Sequence, residues 1–532
     1  MTAEPVRLRG RPAAPGLAAG PVARLAETAH AASASGSPEI ESNKLIQAIK
    51  TAASELGSLA ASQPGEAADI LEFQIALLED EALAAPVLAE IEDGVPAYQA
   101  WGRALDAQIA DYQGGEDAYF RARASDLADL RDRVVRALDG RGQAMLALPA
   151  NAVLVASDLP PSRFLEIDWR RMGGVALTAG SPTSHVAMLA RARGVPMVVG
   201  LRDIPASDGA LALLDGEHGE IEIAPSETRL ADWRRRTAQD DERRAGESRL
   251  VALPAATRSG KRIGAFINIQ GLSDLDAAEA VHADGVGLVR TEFLFEPDRA
   301  PPDETAQLDV YRRIVRWAGD RPVTIRTLDA GGDKPILGVT FADEPNPFLG
   351  IRGLRLSLRR PQLFRTQLRA LARAAVDGDI RVMLPMVTTP SELAAARAHL
   401  DAAMTKLAAE GLAARRPPLG IMVEVPAAAL AIHGFDADFY SIGSNDLVQY
   451  VTACDRGAGE LAELADPQNP AVLELIRRTV AHGHRTMASV SLCGDMAADP
   501  GCVPALLDCG LEILSVAPPA LGRLKAAIAR HE

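Results

Sequence analysis

The rhythm of hydrophobic and polar positions changes three times along this chain. The opening "RPAAPGLAAGPVARL" is rich in Pro and Gly and reads as one or two short strands within residues 1–25. Helical spacing follows at about 40–60, 66–92, 96–113 and 118–139, the last ending in "ALDGRG" with Gly140 as a stop. Strand-like runs return in "NAVLVASDLP", "GGVALTAG", "PMVVG" and "LALLDGEHGEIEIAP". The simplest account is an α/β domain built from residues 1–25 and 148–225, with a four-helix unit inserted over 26–147. The stretch "SETRLADWRRRTAQDDERRAGESR" is charged on most faces, as a solvated connecting helix would be, and sets a linker over 226–252.

From residue 253 to 532 short apolar runs alternate with helical patterns. The runs are "RIGAFINIQ", "GVGLVRTEF", "PVTIRTLD", "RVMLPMV", "LGIMVEV", "DFYSIGSND", "ASVSLCGD" and "LEILSVAP". Helix signals lie between them: Asn469 as N-cap before Pro470 with Gly483 closing, and Ser391 opening "ELAAARAHLDAAMTKLAAEG". This alternation predicts a (β/α)8 barrel of the TIM type. An open doubly wound sheet would usually carry a Gly-rich dinucleotide turn, and none is visible.

Composition narrows the partners. Of 532 residues, 48% are hydrophobic and 24% charged, which suits a globular protein. The formal charge of −15 disfavours nucleic acid and anionic membranes and suits a basic protein partner. The four cysteines, Cys454, Cys493, Cys502 and Cys509, form no C-x-x-C pair. With no signal-like or transit-like start and no apolar stretch of spanning length, a reduced, cytoplasmic protein is expected.

In a barrel of this type the carboxyl ends of the strands carry the chemistry. Those ends hold Arg290, Arg326, Glu424, Asn445, Asp446 and Cys493, with Lys334 and Arg456 in the loops that follow. Guanidinium forks match phosphate and carboxylate, and three on one rim of an acidic protein favour an anionic substrate. The alternative is that each pairs with a nearby acid such as Glu292 or Asp329. Glu424 and Asp446 suit a hard cation such as Mg²⁺ completed by water and substrate oxygens, or else they merely neutralise the arginines. No His/Cys set favours zinc. A glycosidase-like acid and base pair is disfavoured, because the arginines would hold both carboxylates ionised. Cys493 either packs or donates a proton; the other cysteines are read as structural. His185, in "AGSPTSHVAMLARARGVP", stands where Thr183 or Ser184 caps a helix that Gly194 ends. A neutral imidazole there can attack phosphorus beside a helix start that favours negative charge, or it can simply pack.

The segment "PTSHVAMLARARGVPMVVG" resembles the phosphohistidine segment of Enzyme I of the phosphoenolpyruvate:sugar phosphotransferase system and of pyruvate phosphate dikinase. The stretches "GVGLVRTEFLF", "RTLDAGGDK", "NPFLGIRGLR", "MVEVPAAA", "SIGSNDLVQY" and "CDRG" resemble the phosphoenolpyruvate-binding domain of those enzymes. With "LLEDEAL" in the helical insertion, the likeness to Enzyme I covers nearly the whole chain, and there is no room for a dikinase's ATP-grasp domain. The resemblance implies transfer from phosphoenolpyruvate to His185, release of pyruvate, and passage of the phosphate to the histidine of HPr or an HPr-like carrier. It implies Arg290, Arg326, Lys334, Arg352, Asn445 and Arg456 as substrate ligands, Glu424 and Asp446 as Mg²⁺ ligands, and Cys493 as the proton donor to carbon. It also implies a carrier-docking surface on Glu72, Glu79, Asp80 and Glu81, and a homodimer formed through the barrel.

Where the family usually has Gly-Gly-Arg-Thr-Ser-His, this chain has "GSPTSH", so Ser181 and Pro182 alter the approach to the histidine. No sensory domain precedes residue 1, which points away from the nitrogen-regulatory form. The end at "LGRLKAAIARHE", short of a further helix, predicts modified dimer contacts. Two other readings stay open: donor of a specialised regulatory or dihydroxyacetone phosphorelay, and an idle regulatory protein that only binds partners. Retention of the histidine, arginines, acids and cysteine argues against the last.

Overall fold

A computed structural model describes residues 1–532 apart from 1–4, 25–35, 62, 64–65, 114–117, 141–147, 183, 277, 296–298, 332–335, 337, 342–343, 345, 455–460 and 462. The chain divides into two compact units, Met1–Asp240 and Asp241–Glu532.

The first unit holds strands β1 (Val6–Arg9), β2 (Arg11–Ala14), β3 (Leu17–Arg24), β4 (Val153–Ala156), β5 (Gly174–Leu177), β6 (Met197–Val199), β7 (Leu211–Asp215) and β8 (Glu220–Ile223). They form one sheet in the order β1-β8-β7-β3-β4-β5-β6-β2. Strands β3 to β6 run parallel, whereas β1, β2 and β7 pair antiparallel with their neighbours. Both flanks of the helical insertion therefore enter the same sheet. The insertion's helices are Pro38–Ala61, Glu66–Glu79, Glu81–Glu92, Ala97–Gln113 and Ala118–Leu138.

The pattern over 66–92 thus bends into two helices. Asp80 leaves helical geometry (φ −72°, ψ 115°) and its carboxylate accepts the Ala82 N–H at 2.9 Å, so an N-cap interrupts an otherwise continuous apolar stripe. Leu45, Leu56, Leu71, Trp101, Leu105 and Leu130 are fully buried in this helical part. Fully buried Arg133 donates to Ser162 Oγ at 2.9 Å and pairs with Glu55 at 3.1 Å and with Glu166, tying the insertion to the helix Pro161–Glu166.

The charged stretch is the helix Glu227–Val251, in which Trp233 is the buried residue. Arg236 ties its first half to Asp215 at 3.1 Å. Beyond the dividing point, within Asp241–Glu532, Lys525 donates to the carbonyls of Val251 (2.6 Å) and Leu253 (2.7 Å).

The second unit is a closed barrel of parallel strands: β9 (Gly264–Ile269), β10 (Val286–Arg290), β11 (Val323–Arg326), β12 (Ile380–Leu384), β13 (Leu419–Val423), β14 (Phe439–Ile442), β15 (Ser489–Leu492) and β16 (Ile513–Val516). Every predicted run supplies one strand, and β16 pairs back onto β9. Leu288, Met383, Met422, Phe439 and Cys493 pack together as a separate small core. A Cβ at Gly420 would lie 2.6 Å from the Phe439 ring, so glycine there makes room for the aromatic.

Two helix signals differ from the sequence reading. Asn469 does cap the helix Pro470–Thr486 by accepting the Ala471 N–H at 2.9 Å, but the helix runs past Gly483 and ends at Met487, which has φ 57°. Gly483 is there for close packing: a Cβ would sit 2.3 Å from Val490 Cγ2. The helix Pro390–Ala409 is opened by Thr389 rather than Ser391, with Glu392 accepting the Thr389 N–H at 2.8 Å.

Candidate active site

One cavity of about 400 Å³ opens at the carboxyl ends of the barrel strands. Arg290, Arg326, Arg352, Glu424, Asn445, Asp446 and Cys493 all line it. Topology explains the gathering. Arg290 and Arg326 are the last residues of β10 and β11; Glu424 and Cys493 directly follow β13 and β15. Asn445 and Asp446 sit in the first turn of the helix Ser444–Thr452, which leaves β14. Lys334 and Arg456 lie outside the described residues.

The arginines divide into two kinds. Arg326 is buried and bridges Glu292 (3.2 Å) and Asp329 (3.1 Å). Arg352 holds Asp329 at 2.9 Å and Asp446 at 3.4 Å. Burial opposes both charges, but the surrounding carboxylates outweigh it and hold both guanidinium groups above their ordinary range. Arg290 differs in that, among the described residues, it makes no ion pair; its buried Nε, like that of Arg326, has no hydrogen-bond partner there. Glu292, two residues on, reaches Arg326 on the next strand instead and also accepts the Asp329 N–H at 2.8 Å.

Glu424 is almost wholly buried, and its Oε1 accepts the Met386 N–H at 2.6 Å. Contrary to the expectation that the arginines would hold it ionised, burial pushes its carboxyl up to about 8, with Asp446 and Asp329 adding to the rise and Arg326 opposing it. The chain passes close by: a Cβ at Gly443 would lie 2.8 Å from Glu424 Oε2. No group of three or more His, Cys, Asp or Glu side chains that could hold a metal ion occurs among the described residues.

Cys493 is held at both ends. Asn268 Nδ2 donates to its carbonyl at 3.0 Å, and Ser441 Oγ donates to its sulfur at 3.4 Å. Asn445 and Asp495 then lock to one another: Asn445 Nδ2 donates to Asp495 Oδ2 at 2.9 Å and Asp495 N–H returns to Asn445 Oδ1 at 2.8 Å. Tyr450 donates to the Phe348 carbonyl at 2.6 Å and accepts from Arg352 Nη1 at 3.4 Å, fastening the loop that carries that arginine. Sequence reasoning missed Asp495, Ser441, Asn268 and Tyr450. Each is a small or polar residue that acts through tertiary contacts and carries no periodic signal.

Residues 244–532 match the family of the PEP-utilising enzyme, PEP-binding domain, where PEP is phosphoenolpyruvate. Residues 9–123 match its N-terminal domain and 148–219 its mobile domain. The phosphoenolpyruvate-protein phosphotransferase of Haloferax volcanii is 39% identical over 478 residues, 88% of this chain and 82% of that protein. The chain belongs to the PEP-utilising enzyme family. The phosphoenolpyruvate-protein phosphotransferase of Geobacillus stearothermophilus is 36% identical over 502 residues, 92% of this chain and 87% of that protein. The multiphosphoryl transfer protein of Xanthomonas campestris is 38% identical over 472 residues, 87% of this chain but 55% of that protein.

Within the stretch that matches the family's mobile domain, His185 opens the helix His185–Arg193. Ser184 caps it, its Oγ accepting the Ala187 N–H at 3.4 Å; Thr183 lies outside the described residues. Gly194, at φ 64°, ends it in the left-handed region. Arg191 reaches back to the carbonyls of Ala13 (2.6 Å) and Pro182 (2.8 Å), pinning the segment that leads to the histidine. The imidazole is half-buried, and among the described residues nothing hydrogen-bonds to it. His185 stands in the unit Met1–Asp240 and the cavity in Asp241–Glu532. No helix among the described residues is long and apolar enough to cross a membrane.

Proposed function

We propose that this chain transfers the phosphoryl group of phosphoenolpyruvate to its own His185, releases pyruvate, and passes the phosphate to the histidine of HPr or an HPr-like carrier. This is the first step of the sugar phosphotransferase system. The observation that carries the reading is Arg290: a cation left without an acid among the described residues, in a cavity where Arg326 and Arg352 are already paired. A dianionic phosphate with a carboxylate beside it supplies the missing charge.

In this reading Arg290, Arg326, Lys334, Arg352, Asn445 and Arg456 bind the substrate. The donor set of Glu424 and Asp446 fits Mg²⁺, which typically takes one or two carboxylates and completes its shell with water and phosphate oxygens. The pushed-up Glu424 carboxyl fits as well, since a dication would relieve the crowding of its charge against Asp446 and Asp329. When bound, the ion would neutralise charge on the phosphate and the enolate oxygen.

A ring nitrogen of His185 then attacks phosphorus. The N–P bond forms as the bond from phosphorus to the enol oxygen breaks, leaving its electron pair on the enolate. Cys493 gives its proton to the methylene carbon, and pyruvate leaves. Attack requires the imidazole within roughly 3–3.5 Å of phosphorus, and delivery requires a second meeting with the carrier's histidine. We therefore assign residues 1–25 and 148–225 as the swivelling phosphohistidine domain, 226–252 as its linker, 253–532 as the substrate barrel and 26–147 as the carrier-docking insertion. Glu72, Glu79 and Asp80 are exposed on that insertion; the side chain of Glu81 lies outside the described residues. A cytoplasmic homodimer joined through the barrel completes the assignment.

Incubation with phosphoenolpyruvate labelled at phosphorus, with Mg²⁺, tests it. The wild type should take up acid-labile, alkali-stable label, and His185→Ala none. Equal labelling of His185→Ala would remove the proposal.

A further inference from the structure

The Cys493 thiol sits in largely apolar surroundings with two directed polar contacts, a hydrogen bond accepted from Ser441 and a long one donated to the Ile442 carbonyl at 3.8 Å. Leu288, Met383, Met422 and Phe439 pack with it, and Cys493 itself is 3% exposed. Ser441, fully buried on β14, donates to its sulfur at 3.4 Å. Ser491, half-buried on β15, donates in turn to Ser441 Oγ at 3.0 Å. The pairing of Ser441 with Ser491 in the β14–β15 register sets the two hydroxyls side by side. The Ser491 donation occupies a lone pair of Ser441, so the Ser441 hydrogen is left for the sulfur.

We infer that Ser441, oriented by Ser491, is a positioning residue that sets the acidity of the Cys493 thiol for carbon protonation. The inference rests on the proposed role of Cys493 as proton donor. In that step the S–H bond breaks, its electron pair stays on sulfur, and a C–H bond forms at the methylene carbon. Ser441 keeps its own proton and hydrogen-bonds the thiolate so produced. A hydrogen bond to the charged form favours that form. Without it, the thiolate would face apolar neighbours, the Ile442 carbonyl and a mixed set of charges. Those charges are Arg290 and Arg326, which favour it, and Glu424, which opposes it; Asp329, Arg352, Asp446 and Asp495 line the same cavity. Burial pushes the thiol up from its ordinary value, and Ser441 and the arginines work against that rise. Ser441 is a neutral donor to the sulfur, so its removal moves the thiol without changing the charge that lines the cavity.

The test is the pH dependence of alkylation of Cys493 by iodoacetamide in the full chain, followed by mass spectrometry of its peptide. Ser441→Ala should raise the apparent pKa of Cys493 by about one unit, the scale of a hydrogen bond to an ionised group. It should lower the rate of pyruvate formation several-fold and leave the KM for phosphoenolpyruvate unchanged. Ser441→Thr, which keeps the hydroxyl, should restore the wild-type profile. Ser491→Ala, at a partly solvated position, should move the profile the same way by less. An unshifted profile in a folded Ser441→Ala protein overturns the inference; if that variant does not fold, an unshifted Ser491→Ala does so. Cys493→Ala separates the two claims. Wild-type turnover there would end the proton-donor reading, whatever the alkylation profile shows.

Discussion

Asp329 grips Arg352 with both of its oxygens, at 3.3 Å from Oδ1 to Nε and 2.9 Å from Oδ2 to Nη2. The same Oδ2 lies 3.1 Å from Arg326 Nη1. One buried carboxylate therefore sets the spacing of two guanidinium groups before any substrate arrives.

Asp329→Asn keeps the shape and removes the charge. Hydrogen bonds to charged groups are worth about 1.5–3 kcal/mol, so phosphoenolpyruvate affinity should weaken roughly tenfold or more as the two arginines lose their common anchor. Calorimetric titration checks the affinity, and a melting curve separates it from loss of fold. Unchanged affinity would mean that Glu292 and Asp446 suffice to hold the arginines.

The sequence made the strand-end residues legible because the barrel rule converts a strand's last residue into an address. It could not assign partners. Arg290 and Glu292 are two positions apart and look like a pair, yet the chain turns after β10 and carries Glu292 across to Arg326. Arg352 lies in the long connection between β11 and β12, with no strand to place it, so only motif likeness picked it out. Ser441 is one small polar residue in an apolar strand, and its contact with Cys493 exists only through the β14–β15 register. Gly483 read as a stop because glycine commonly ends helices; its neighbour across the packing interface, Val490, was invisible to a local rule.

The raised Glu424 carboxyl gives the proposed cation site a pH signature. Without a cation it holds its proton up to about pH 8. Mg²⁺ must displace that proton, so affinity should climb with pH and level off once the carboxyl is already ionised. Well below that value the apparent Kd should fall by close to tenfold per pH unit. Calorimetry in buffers of different ionisation enthalpy would count the released proton, independently of turnover. Glu424→Gln should lose most of the affinity together with the pH dependence. An affinity that stays flat from about pH 6 to pH 8 would remove Glu424 from the site.

Gly494 couples Cys493, the proposed proton donor, to Asn445, a proposed substrate ligand. A Cβ there would lie 2.0 Å from Ser444 Oγ and 2.8 Å from Ser444 N, distances no side chain tolerates. Gly494→Ala must push the loop off the helix Ser444–Thr452 and part Asn445 from Asp495. A displacement near 1 Å can cost about 10²-fold in rate. Turnover should fall on that scale while the melting temperature changes little, because the surrounding barrel is untouched. Wild-type turnover would show the loop to be more compliant than this packing implies.

The last prediction concerns separability. His185, the proposed nucleophile, and the proposed substrate cavity belong to different units, and each unit carries its own apolar core. The structure also says where to cut. Arg236 belongs with the sheet through Asp215, whereas Lys525 holds Val251 and Leu253, and Gly522 packs 2.8 Å from the Glu247 carbonyl, measured from its missing Cβ. A cut after Asp240 respects both sets of contacts; a cut near residue 250 would strip the barrel of the helix end that Lys525 caps. The fragment 1–240 should accept phosphate reversibly from a phosphorylated HPr-like carrier, since it holds His185 and the proposed docking insertion. It should be inert to phosphoenolpyruvate. The fragment 241–532 should bind phosphoenolpyruvate with Mg²⁺ yet form no phosphoprotein. Mixing the two should restore little transfer at low concentration, because the linker no longer supplies a high local concentration of one site for the other. Labelling of fragment 1–240 by phosphoenolpyruvate alone would place a complete transfer site in the first unit and end the two-site mechanism.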